Sequence, residues 1–240
     1  MKALLYKEFR LSMHIMCYLF IIIFPLMILI PAYFYPYTIG FIYVLTCYPV
    51  LFLGANKGQQ SNDLLFSALL PVRKKDIVLA RIFTLAIMQF AFMAIMSMLW
   101  PLANFITSNY EAYLATLTEE QLEAESASLS CFGLNSFVLV LAFAIIGFAL
   151  ADLIFLPIYY KKGKSIVAST LLTILAFVTY IIITTVVLPI IGQSYPPFAW
   201  IMNIPLPIQF ACLGVALVIY FLLHWLTYVI SSKRLEKVDF

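Results

Sequence analysis

The sequence predicts an all-α membrane protein of six transmembrane helices, with both termini in the cytoplasm. Three observations carry this. The 240 residues are 65% hydrophobic and 10% charged, with mean hydropathy +1.05. A soluble domain carries about 25% charged residues, so lipid is the solvent for most of this chain. Second, residues 11–56, 82–110 and 165–232 contain no Asp, Glu, Lys or Arg, and a helical crossing needs about 20 such residues. Third, the 14 Lys and Arg residues fall in four clusters, with an even number of spans between one cluster and the next. They are Lys2/Lys7/Arg10, Lys57/Arg73/Lys74/Lys75/Arg81, Lys161/Lys162/Lys164 and Lys233/Arg234/Lys237. Positive charge marks cytoplasmic loops, which places the chain as a multi-pass protein of the inner (cytoplasmic) membrane.

The first twelve residues set Leu4, Leu5, Phe9 and Leu11 against Lys2, Lys7, Glu8 and Arg10. That pattern predicts a short amphipathic helix on the cytoplasmic membrane surface. It resembles a signal sequence, but the apolar run is too long and has no small-residue cleavage site, so it reads as retained. Residues 11–56 then hold two spans, about 13–33 and 38–55, broken at the Pro/Tyr-rich stretch Pro31–Tyr37. Prolines and tyrosines suit an interfacial turn. Span three runs about 76–101, its charge-free part being long enough for one crossing only.

An acidic outer loop follows, over 104–131. It holds Glu111, Glu119, Glu120, Glu123 and Glu125 and no basic residue. Ser108…Glu111 and Thr118…Gln121 have capping-box spacing, which predicts one or two short helices there. Span four is about 132–157, ending at Pro157. Spans five and six are about 165–189 and 206–230. The stretch between them, Pro189 to Pro207, is rich in Pro and aromatics and carries no charge. It is expected to dip into the membrane or lie on its outer surface. Irregular backbone at that depth must be covered by protein or line a wet cavity. There is no internal repeat and no soluble domain: residues 1–240 read as one membrane domain, with a cytoplasmic segment at 56–75.

On this topology the cytoplasmic side carries 14 basic and 5 acidic residues, a net +9 against −5 for the outer loop. A basic face of this kind suits anionic lipid headgroups, not nucleic acid. Cys17, Cys47, Cys131 and Cys212 show no metal-ligand spacing and read as small packing residues. No G-x-S-x-G, no H-E-x-x-H and no paired-Glu motif lies in a span, so no catalytic set is assigned. Gly163-Lys164-Ser165 imitates the end of a P-loop, but position 158 is Ile where the motif needs Gly. No nucleotide site is therefore expected on this chain. His14 and His224 are placed at the headgroups by their positions near span ends, against the alternative of a proton relay.

Asp152 stands apart, being an acid inside span four. A charge there costs a few kcal/mol on insertion scales and is turned toward a partner or a cavity. It reads either as part of a translocation path or gate, or as a polar clamp between helices. Gln89, Asn104, Asn135 and Gln209 are weaker polar candidates, read chiefly as helix–helix hydrogen-bond formers.

The most specific segment is Ser61-Asn-Asp63-Leu-Leu-Phe66-Ser-Ala-Leu-Leu70-Pro71-Val-Arg73-Lys-Lys-Asp76. Ser61 or Asn62 can cap a short helix whose positive end favours Asp63. Pro71 ends it, and a second helix begins near Asp76. Its leucines and Phe66 make it too apolar for a free loop, so it calls for a protein partner or the membrane surface.

The pattern Leu70-Pro71-Val-Arg73-Lys-Lys-Asp76-Ile77-Val78-Leu-Ala80-Arg81 resembles that of type-2 ABC exporter permeases. So do the N-terminal Lys2-Ala-Leu-Leu-Tyr-Lys-Glu-Phe-Arg10 and Leu156-Pro157-Ile-Tyr-Tyr-Lys161-Lys-Gly163-Lys164. Within that family the chain looks most like the small permeases of phenol-soluble-modulin and other bacterial peptide exporters. The resemblance implies a separate cytoplasmic ABC ATPase subunit, which holds the ATP and Mg, and a second permease subunit completing a homo- or heterodimer. It implies that residues 61–76 are the coupling helix, with Asp63, Phe66, Leu70, Pro71 and Arg73 as its contact residues. It also implies that the N-terminal helix lies on the membrane and that 190–205 is an outer gate. Tyr195, Phe198 and Trp200 would join Asp152 on the path. The cargo expected is an amphipathic or hydrophobic molecule, such as a peptide. The competing readings are a non-catalytic membrane scaffold or immunity protein and an intramembrane enzyme working through Asp152 and a histidine.

Overall fold

A computed structural model describes residues 2–12, 15–26, 29, 72–114, 137–162, 166–184 and 204–237. Among them the chain is all-helical. The helices are α1 (Lys2–Lys7, continuing as a π-helical turn Glu8–Ser12), α2 (Ile15–Leu26), α3 (Lys74–Leu114), α4 (Phe137–Lys162), α5 (Ile166–Ile182) and α6 (Leu206–Glu236).

Three stretches are long and apolar enough to cross a membrane: Lys74–Ile106, Phe137–Lys161 and Leu206–Glu236, of 33, 25 and 31 residues. Cys17–Leu26 and Ala168–Ile182 are shorter apolar helices inside the expected first and fifth spans. The expected second span, 38–55, lies outside the described residues, as does most of the segment 56–75.

α3 departs from its expected end. It passes through Pro101 and continues to Leu114, so the first part of the expected outer loop is helical and belongs to the same rod. At 41 residues it is about 60 Å long, twice a hydrocarbon core of about 30 Å. α4 likewise carries Pro157 inside the helix and ends at Lys162. A proline costs a helix one backbone hydrogen bond. In apolar surroundings neighbouring helices offset that loss, so proline there is a weak stop signal.

α6 starts where proline chemistry favours a start. Pro205 is its N-cap residue and Pro207 lies in the first turn, where the missing N–H would have no intrahelical partner. Lys233 and Arg234 occupy its last turn, matching the negative end of the helix dipole.

The register follows from side-chain pairs. Phe92 meets Phe148 edge-on at 6.0 Å and Trp100 stacks on Phe137 at 4.2 Å, so α3 and α4 run antiparallel. Asp152 reaches His224, and Arg234 Nη1 donates to the Pro157 carbonyl at 2.6 Å. These contacts make α4 and α6 parallel neighbours. α5 lies antiparallel on α4, where Tyr180 OH donates to the Phe143 carbonyl at 2.8 Å. Its own hydroxyls turn inward on the helix, as in Thr173 to Ser169 and Thr179 to Leu175.

The basic ends meet. Lys75 pairs with Glu236 at 3.2 Å, and Arg81 with Glu8 at 2.8 Å. α1 does not simply rest on a lipid surface: Leu4, Lys7 and Glu8 are buried, and α1 packs against α3. The core runs along the helix seams through Val78, Leu85, Phe92, Phe148, Phe155 and Tyr220. Large apolar residues such as Phe210, Phe221 and Trp225 face outward, the arrangement expected where lipid is the solvent.

Candidate functional site: a buried polar ring between three helices

Four side chains meet at the seam of α3, α4 and α6. Gln89 comes from α3, Asp152 from α4, and Tyr220 and His224 from α6. All four are buried, and Asp152 is 0% exposed. Tyr220 and His224 are four residues apart, so they share one helix face. Each sits in an apolar setting, with Phe90 edge-on to Tyr220 at 5.3 Å and the Tyr220 and His224 rings 4.0 Å apart.

The bonds close a ring. Tyr220 OH donates to Gln89 Oε1 at 2.8 Å. Gln89 Nε2 donates to Asp152 Oδ2 at 2.8 Å. His224 Nε2 lies 2.9 Å from the same Oδ2. His224 Nδ1 lies 2.9 Å from the Tyr220 backbone carbonyl. Chemistry fixes most of the hydrogens. A carbonyl only accepts, so His224 Nδ1 carries hydrogen and donates to it. The Gln89 amide must turn its NH₂ to the acid and its oxygen to the phenol, since the reverse would set two acceptors face to face. One proton is then shared between Nε2 and Oδ2. Asp152 Oδ1 is buried and meets no hydrogen-bond partner among the described residues.

The ring lies deep. Asp152 is nine positions before Lys161 and His224 nine before Lys233, about 14 Å along each helix. Gln89 is eight positions past Arg81, about 12 Å. The ring is therefore set well along all three helices from their basic ends. For His224 that is a correction. Its ring does not turn outward near a span end but faces inward onto Asp152.

The other predicted residues divide as follows. Arg73 is exposed just ahead of α3, and its carbonyl accepts the Asp76 N–H at 2.9 Å. Gln209 Nε2 donates to the Ile204 carbonyl at 2.8 Å, at the start of its own helix. Asn104 is half-buried on α3. Asp63, Phe66, Leu70, Pro71, Asn135, Tyr195, Phe198, Trp200 and His14 lie outside the described residues. Tyr220 was missed by sequence reasoning, although its four-residue spacing from His224 was the available signal. No family model, curated protein or solved structure matches this chain.

Proposed function

We propose that this chain is the transmembrane subunit of an ATP-driven exporter of the type-2 ABC kind. It works as a homo- or heterodimer in the cell membrane with a cytoplasmic ATPase partner. It has six spans with both termini inside, and it moves an amphipathic or hydrophobic molecule, such as a peptide, outward. The chain itself does no chemistry, and ATP and Mg belong to the partner.

One observation supports this above the others. The coupling segment, with Asp63, Phe66, Leu70 and Pro71, leads through Arg73 directly into α3, which begins at Lys74. The same rigid helix carries Gln89 into the polar ring. A push delivered by a docked ATPase at the basic end would therefore act on the seam that joins α3, α4 and α6. The arrangement gives such movement a discrete point of action, since hydrogen bonds in an apolar seam are either made or broken. The outer gate, with Tyr195, Phe198 and Trp200, would respond at the far end.

The test is copurification. The tagged chain, isolated from its native membrane, is expected to bring down an ATP-hydrolysing subunit. A Phe66→Asp, Leu70→Asp pair should lose it while still inserting. Isolation of the wild-type chain with no ATP-hydrolysing partner would end the exporter reading and favour the scaffold one.

A further inference from the structure

We propose that Asp152 and His224 form an intramembrane proton-binding site, with Asp152 Oδ1 as the atom that takes up the proton. This does not rest on the exporter reading. It concerns what the ring binds, whatever the chain transports.

The argument is one of donors and acceptors. The ring as built holds one proton between Nε2 and Oδ2, 2.9 Å apart. Whether that proton is drawn on nitrogen or on oxygen, the pair is neutral overall. Oδ2 is engaged on two sides, by Gln89 and by His224. Oδ1 is buried with no hydrogen-bond partner among the described residues. An acceptor left bare in an apolar interior costs free energy, and a proton on Oδ1 removes that acceptor while creating an O–H and a net charge that are themselves best satisfied when the seam loosens to admit water. The described residues gather no set of three metal-ligating side chains. Among the described residues, the titratable groups bonded into the site are Asp152 from α4, and His224 and Tyr220 from α6, while α3 contributes the neutral Gln89. No charged group from α5 is bonded to the ring.

Uptake balances simply. One proton from bulk water adds to Oδ1, and the shared proton settles on His224 Nε2. The product is a carboxylic acid beside an imidazolium, with net charge +1. Oδ2 is then a carbonyl oxygen, a poorer acceptor for both Gln89 and His224. The added charge also favours water over the apolar seam. Proton binding therefore weakens the link of α4 to α3 and α6, and forced separation of those helices changes proton affinity in return. The ligand is the proton, and the ring is where helix packing reads it.

The experiment uses the full-length wild-type chain in lipid nanodiscs, with ¹³C-labelled aspartate carboxyls and ¹⁵N-labelled histidine rings. The aspartates are Asp63, Asp76, Asp152 and Asp239, and the histidines His14 and His224. The carboxyl carbon whose solid-state NMR signal is dephased by a ring nitrogen is that of Asp152. His224→Gln should remove the dephasing, which checks the assignment. On acidification, that carboxyl is expected to change from the shared-proton signal to a full carboxylic-acid signal. Both ring nitrogens of His224 should end as protonated, with Nδ1 protonated throughout. A dephased carboxyl whose signal does not move while the protein stays folded would overturn the proposal. So would a spectrum in which no aspartate carbon is dephased. Neither result bears on whether an ATPase copurifies.

Discussion

Glu8 Oε2 and Arg81 Nη1 lie 2.8 Å apart, with both side chains 1% exposed. The contact is ionic and short of good hydrogen-bond alignment. Lys7 approaches the same carboxylate group from the other side at 3.5 Å. The N-terminal turn is thereby pinned to the base of the helix that carries Gln89.

Arg81→Leu leaves the buried Glu8 carboxylate with the longer Lys7 contact. It should destabilise the chain by less than the ~3–5 kcal/mol of a fully unpaired buried charge. Glu8→Leu, Arg81→Leu together should recover only part of that loss, because buried Lys7 then loses its Glu8 contact. Lys75→Ala breaks a pair that is half exposed on both sides and should change stability by less than about 1 kcal/mol. Thermal unfolding in detergent compares the three.

Gln89→Leu keeps the side chain close to its volume but leaves Tyr220 OH without its acceptor and removes one of the two contacts to Asp152 Oδ2. A loss of about 1–3 kcal/mol is expected. Adding His224→Leu should cost less than it does in the wild type, because the two side chains share Oδ2. Strict additivity in a double-mutant cycle would show that the ring does not act as a unit.

Asp152 was legible in the sequence because an acid in an apolar span has few reasons to be there. Its partners were not, because they lie 63 and 72 positions away, and hydropathy gives no neighbour relation between spans. His224 was read from its position near a span end, and that position carries no information on which way the ring turns. The helices run on through Pro101 and Pro157, so neither proline marks a helix end, for the reason already given. The helical class was plain from composition. The parallel course of α4 and α6 agrees with the basic clusters that close both helices.

Glycine substitutions should act in opposite directions at two positions. A Cβ on Gly147 would meet Phe177 Cε2 and Tyr180 Cε1, each at 3.0 Å, and Tyr180 is held by its bond to Phe143. Gly147→Ala should lose about 1 kcal/mol net, overpacking outweighing the gain in helix propensity. A Cβ on Gly214 meets nothing within 4 Å, so Gly214→Ala should gain about 0.5–1 kcal/mol.

The charge map predicts sidedness. In a cysteine-free background, a cysteine replacing Glu120 should react with an impermeant thiol reagent from outside the cell. One replacing Lys161 or Lys237 should react only in inside-out vesicles. Labelling of position 120 from the cytoplasmic side would reverse the topology and with it the docking face.

The central claim is that α3 carries movement from the docking end to the polar ring. Its most direct measurement is a spin-label distance between exposed positions 109 on α3 and 206 on α6, in nanodiscs holding the chain with the proposed ATPase partner. The account predicts that Mg-ATP shifts the distance distribution and that Gln89→Leu reduces the shift. An unchanged distribution in a complex that is hydrolysing ATP would contradict it.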